Sequence, residues 1–119
     1  PAFNSYGVVS VTEKYAQEHP QTIDTVLAAY EQARAWSVEH PQELAKLLAD
    51  ESGLPLEVAK LQLSRTDLGS PQLSAKDVLA SKAAAPILVS EELVRRGVNV
   101  DQVIDQLLDT GRQQAVARQ

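Results

Sequence analysis

The sequence predicts a mainly α-helical chain with one or two short strands. Three observations lead there. Of its 119 residues, 44% are hydrophobic but only 4% aromatic, so alanine and leucine fill the apolar positions, which favours helix over sheet. Apolar residues recur at helical spacing in successive segments, each opened by a proline or a capping side chain. One stretch alone, "YGVVSV" at Tyr6–Val11, reads clearly as a strand, short and β-branched after a glycine.

The elements follow in order. Thr12 is placed to N-cap a short helix, "EKYAQEH". Pro20 then falls where a first helical turn accepts proline, whose missing N–H would be unpaired there anyway. From it Ile23, Val26, Leu27 and Tyr30 lie at i, i+3, i+4 and i+7, a stripe continuing through Ala33 toward Ser37. Trp36 sits beside that stripe, positioned to wedge the helix against a neighbour. His40-Pro41 opens a helix carrying Leu44, Leu47 and Leu48, with Gly53 as its stop. Pro55 starts another, "LPLEVAKLQL", which leads into the polar loop "SRTDLGSPQL". Ser74 and Asp77 form an S-x-x-D start signal for a long helix running toward Gly97. Pro86 lies inside it, so a kink or break is expected near Ala84–Pro86. Asn99 caps "VDQVIDQLLD", which stops at Gly111. Residues 1–110 thus form the structured part, and 111–119 a frayed tail.

Two copies of EHPQ, at Glu18–Gln21 and Glu39–Gln42, invite three readings: a repeat, a two-histidine metal site, or helix punctuation. The flanking "TIDTVLAAY" and "ELAKLLADE" share only helical period, which argues against a true repeat. A whole helix, about 30 Å at 1.5 Å per residue, separates His19 from His40, and no cysteine or suitably spaced carboxylate joins them. Punctuation is the better reading: each proline opens a helix and each Glu-His closes the one before, where histidine suits the helix dipole.

Eleven basic and sixteen acidic residues leave a net charge of −5. That argues against a nucleic-acid or anionic-membrane partner, since such binders need lysine and arginine to displace counterions. The absence of cysteine excludes disulfides and thiolate metal sites. No apolar run approaches the roughly 18 residues of a membrane span, and the opening "PAFNSYGVVSVTEKYA" lacks a leader's basic and apolar regions. Such a start suits a cytosolic protein or a piece of a longer one. No nucleophile elbow, P-loop or dinucleotide glycine fingerprint is present, so neither an enzyme nor a cofactor is expected. Scattered carboxylates, and Arg95-Arg96 before Gly97, read as solvated faces and helix-end charges. Two polar stretches are candidates for ligand contact. "FNSYG" places Asn4, Ser5 and Tyr6 at the mouth of the predicted strand. "LSRTDLG" carries Arg65, whose guanidinium forks onto oxyanions; the bland alternative for both is loop hydrogen bonding.

The order of these segments resembles the carboxy-terminal portion of ABC-transporter solute-binding proteins of the nitrate, taurine and aliphatic-sulfonate type. The resemblance is carried by Val9-x-Val11 with Tyr15-Ala16, His19-Pro20, Pro41-x-Glu43-Leu44-Ala45, and Gly53-Leu54 with Val58. It continues through Arg65, Pro71-x-Leu73-Ser74 with Val78, and the closing "SEELVRRGVNVDQVIDQLLD", covering Asn4 to about Asp109. Each motif is helix punctuation; the specificity lies in their order. The chain departs from the family at "PILVSEEL", where an aromatic pair is frequent, and at "GVNVD", where the link often holds proline. The resemblance implies part of a two-lobed α/β periplasmic-binding-protein (type II) fold, about its final third, with the lobe-one strand and covering helices in residues 1–110. It further implies a non-catalytic periplasmic or extracellular protein. Its partners would be a small anionic solute, held in the cleft by residues such as Asn4, Ser5, Tyr6 and Arg65, and the membrane permease of an ABC importer. With no sheet of its own, the strand is expected to pair with another copy of the chain or to lie frayed on the surface. The rival readings are a free-standing helical protein-interaction module and, more remotely, a small enzyme.

Overall fold

A computed structural model describes residues 7–112. Its helices are α1 (Glu13–Glu18), α2 (Pro20–Glu39), α3 (Pro41–Ser52), α4 (Leu56–Ser64), α5 (Ala75–Ser90) and α6 (Val100–Leu107). The start signals act as their chemistry requires. The Thr12 hydroxyl accepts the Tyr15 N–H at 3.2 Å, and the Asn99 side chain accepts the Gln102 N–H at 3.1 Å. At α5 the Asp77 carboxylate accepts from both the Ser74 N–H (2.7 Å) and the Ser74 hydroxyl (2.8 Å). Those bonds hold the Asp77 carboxyl below the usual aspartate range. Gly53 ends α3 at φ 69°, a left-handed conformation that costs other residues about 1–2 kcal/mol.

Four expectations need correction. No strand exists among the described residues: Gly7–Val11 is extended, and none of its backbone groups is hydrogen-bonded there. A β-branched sequence cannot become a strand without a neighbour to accept its N–H groups, and no other segment described here offers one. Pro86 does not break α5, which runs on to Ser90; the helix loses one bond at the proline, and its alanine-rich flanks favour helix. The same helix stops at Ser90 rather than near Gly97, with Glu92 at φ 55° in the turn that follows. Trp36 is no wedge; it is about two-fifths exposed and lies against His40.

The chain divides into two compact units. In the unit formed by residues 25–71, α3 packs on α4. Ala45 and Ala59 are its buried side chains, at 2% and 0% exposure, and alanines of that size let two helix backbones approach closely. The unit formed by 1–24 with 72–119 pairs α5 with α6 around Ala85 and Ile104. A Lys82–Asp105 ion pair of 2.7 Å reinforces that contact. Arg112 reaches Asp109 at 3.4 Å and Asp24 at 3.9 Å.

Ala45, Ala59, Ala85 and Ile104 are the whole buried apolar set among the described residues. Val8, Leu79, Ile87, Leu93 and Leu107 are more than 60% exposed, and Val9, Val58 and Leu61 about half exposed. At roughly 25 cal/mol per Å², large side chains left in water forgo most of their stabilisation. The apolar surface of α5 is shown to solvent on more than one side, as expected of a helix built to be covered.

Candidate functional site

Arg65 ends α4, where its N–H bonds the Gln62 and Leu63 carbonyls. The following loop is shaped by short-range bonds. Thr66 donates its N–H to Leu63 O (3.0 Å) and its hydroxyl to Gln62 O (2.9 Å). Asp67 accepts the Gly69 N–H at 2.8 Å, a turn that aspartate closes with its own side chain. The Arg65 side chain is exposed, and among the described residues no hydrogen bond or ion pair engages its guanidinium. An arginine whose N–H donors are uncommitted can donate to a sulfonate, carboxylate or nitrate in fork geometry.

The loop is tied to α2 by a residue that sequence reasoning passed over. Arg34 donates through Nε and Nη2 to the two carboxylate oxygens of Glu31, at 2.8 and 2.6 Å. Its Nη1 donates to the Leu68 carbonyl at 3.0 Å. Glu31 and Arg34 are three residues apart on one helix face, a spacing visible in "YEQAR"; the carbonyl that completes the arrangement is a tertiary partner no spacing reveals. Hydrogen bonding in the fork lowers the Glu31 pKa and raises that of Arg34. Both groups therefore stay charged throughout the physiological range.

His19 and His40 sit at the α1–α2 and α2–α3 joints, not in a shared site. Their backbones match, at φ −131°, ψ 53° and φ −125°, ψ 57°. The following proline disfavours helical ψ for the residue before it, which turns the chain at each histidine. Each histidine nevertheless keeps both backbone bonds. His19 N–H donates to Tyr15 O (2.8 Å) while its carbonyl accepts from Ile23; His40 N–H donates to Trp36 O (2.9 Å) while its carbonyl accepts from Leu44. Each ring lies on the aromatic ring four residues earlier, Tyr15–His19 at 4.6 Å and Trp36–His40 at 4.9 Å and nearly parallel. The shared unit is therefore longer than EHPQ: an aromatic residue stands three positions before each glutamate.

Asn4, Ser5 and Tyr6 lie outside the described residues. Arg95 and Arg96 fall in the turns after α5, beside an open hollow lined by Val89, Val94 and Val98. Arg96 pairs there with Glu92 at 3.3 Å, both highly exposed, an arrangement of little energetic weight. Among the described residues no group of histidines and carboxylates is arranged to hold a metal, and no helix is long and apolar enough to cross a membrane.

No family model and no solved structure matches the chain. The "Putative aliphatic sulfonates-binding protein" of Bacillus subtilis (strain 168) is 27% identical over 101 residues, 85% of this chain. The chain spans 30% of that protein's length. This distant likeness supports a relationship to solute-binding proteins, and that relative is named for binding rather than for catalysis.

Proposed function

We propose that this chain is the carboxy-terminal segment of a non-catalytic, extracytoplasmic solute-binding protein serving ABC import of small oxyanionic solutes of the sulfonate, taurine or nitrate kind. The observation that carries the reading is the 101-residue similarity to the Bacillus protein, which extends over most of the helical segments. Two structural features support it. The large apolar side chains of α5 and the hydrogen-bond-free Gly7–Val11 are left without cover among the described residues, as they would be if a sheet and second lobe were supplied by further chain. The uncommitted Arg65 guanidinium supplies the donors an oxyanion needs. Asn4, Ser5 and Tyr6 are proposed to join it in lining a cleft that closes on the solute and is then presented to the permease.

The test is a thermal-shift titration of the polypeptide that carries this segment, against taurine, alkanesulfonates and nitrate. A ligand present at about a hundred times its Kd adds about 2.7 kcal/mol, several degrees of Tm. No stabilisation by any of these would refute the oxyanion reading. The segment by itself should bind only weakly, because a small ligand draws most of its contacts from surfaces on both sides of a cleft. The same exposed apolar faces would also serve a free-standing helical module that docks a protein partner. A coding sequence beginning immediately before Pro1 would favour that second reading.

A further inference from the structure

We propose that the Glu31–Arg34 fork is a latch that positions Arg65, holding the loop after α4 against α2 so that the Arg65 guanidinium is offered to an oxyanion from a fixed place. The inference rests on the reading of Arg65 as an oxyanion contact and adds to it the residues that set its position.

Arg34 stands apart from the other cations in the way it is used. Lys46 and Lys60 make simple pairs one helical turn away, at 2.8 and 3.0 Å, in open solvent. Arg34 is only about a quarter exposed, and it alone among the described lysines and arginines donates to a backbone carbonyl of a distant segment. The two bonds to Glu31 fix the guanidinium plane, and a fixed plane aims Nη1 at Leu68 O. Local bonds at Thr66 and Gly69 give the loop its shape, and the Arg34 bond ties that shape to α2. Leu68 lies only three residues beyond Arg65, so freeing its carbonyl loosens the segment that carries the unpaired guanidinium. Precise placement matters for a bidentate contact, since a fork must meet its oxyanion in plane.

Lysine cannot replace Arg34 in this role. An ammonium can meet Glu31 or the Leu68 carbonyl, but it has no rigid plane that serves both oxygens and the carbonyl together. Exchanging the two charges, with Glu31→Arg and Arg34→Glu, restores an ion pair yet leaves position 34 with no donor for Leu68. A latch and a mere helix-surface salt bridge therefore respond differently to the same variants.

The experiment uses the 119-residue chain, labelled with 15N, and reads two signals. Amide exchange at Gly69, whose peptide group includes the Leu68 carbonyl, reports the latch. Movement of the Arg65 Nε–H resonance during a millimolar titration with hexanesulfonate reports the contact. Loss of a hydrogen bond from a charged donor should speed Gly69 exchange about tenfold in Glu31→Gln and Arg34→Lys. The same variants should weaken the hexanesulfonate response of Arg65 at least several-fold. The charge-swapped double variant should regain thermal stability without regaining either signal. Arg65→Ala should abolish the response to hexanesulfonate and leave Gly69 exchange unchanged. Gly69 exchange that is unchanged in both single variants would overturn the latch. Faster exchange with undiminished hexanesulfonate affinity would show that the latch does not position Arg65. A wild-type Arg65 resonance that hexanesulfonate never moves, alongside faster exchange in the variants, would refute the oxyanion role and leave only a structural tie.

Discussion

Replacing Ile104 by alanine tests whether the α5–α6 pair depends on a single large side chain. Ile104 is 8% exposed, and the other buried apolar residues among those described are alanines. Truncation removes three carbon groups, worth about 0.8 kcal/mol each, so the transfer loss is about 2.4 kcal/mol. The space left behind adds to that, because the surrounding structure closes only in part around a truncated side chain. Alanine returns a few tenths through its better helix propensity. The net expectation is a loss of about 3 kcal/mol, against total stabilities of about 5–15 kcal/mol for small domains. In urea unfolding followed by circular dichroism, that loss should lower the midpoint by about 1.5–2 M, with a slope near 1.5–2 kcal/mol per molar. Val103→Ala, next in sequence but 48% exposed, is the control and should cost under about 1 kcal/mol. If Ile104→Ala is no worse than Val103→Ala, the burial of Ile104 does not hold this pair of helices together.

Other substitutions probe the local devices. Asp77→Ala removes the acceptor of two Ser74 bonds and should cost about 1 kcal/mol at pH 7 in thermal unfolding. Because the folded carboxyl titrates below its ordinary value, its contribution is complete above the unfolded value of about 3.9 and lost as pH falls through the folded one. Wild type and variant should therefore converge only in that acid range. Gly53→Ala places a Cβ in open space, so its cost is backbone strain alone, about 1 kcal/mol by urea titration. Pro86→Ala supplies the missing N–H inside α5 and should raise stability by about 1–2 kcal/mol, since the gain in helix propensity exceeds the added freedom of the unfolded chain.

The helix starts were legible because their causes are local. Thr12, Pro20, Pro41, Asn99 and the Ser74–Asp77 pair each act within one turn, and Gly53 stops α3 through its own φ. What the sequence misrepresented depends on distant partners or on competing terms. Gly7–Val11 has strand composition but no neighbour here, and β structure is a property of pairs. Pro86 carries a breaking tendency that the surrounding alanines outweigh. Of the candidate site, Arg65 was readable as an arginine leaving a helix. The Arg34 bond to Leu68 was not, because a backbone carbonyl 34 positions away has no signature in the side-chain alphabet.

The histidine joints have a use beyond this chain. At each bend the histidine closes one hydrogen-bond ladder with its N–H and opens the next with its carbonyl. A connector of seven residues, aromatic-x-x-Glu-His-Pro-Gln, is thus self-contained, its ring stack and carbonyl bonds lying within one turn on either side. Grafted between two idealised helices, it should join them at a bend without a glycine loop, which a designer can check by solving the grafted helix pair.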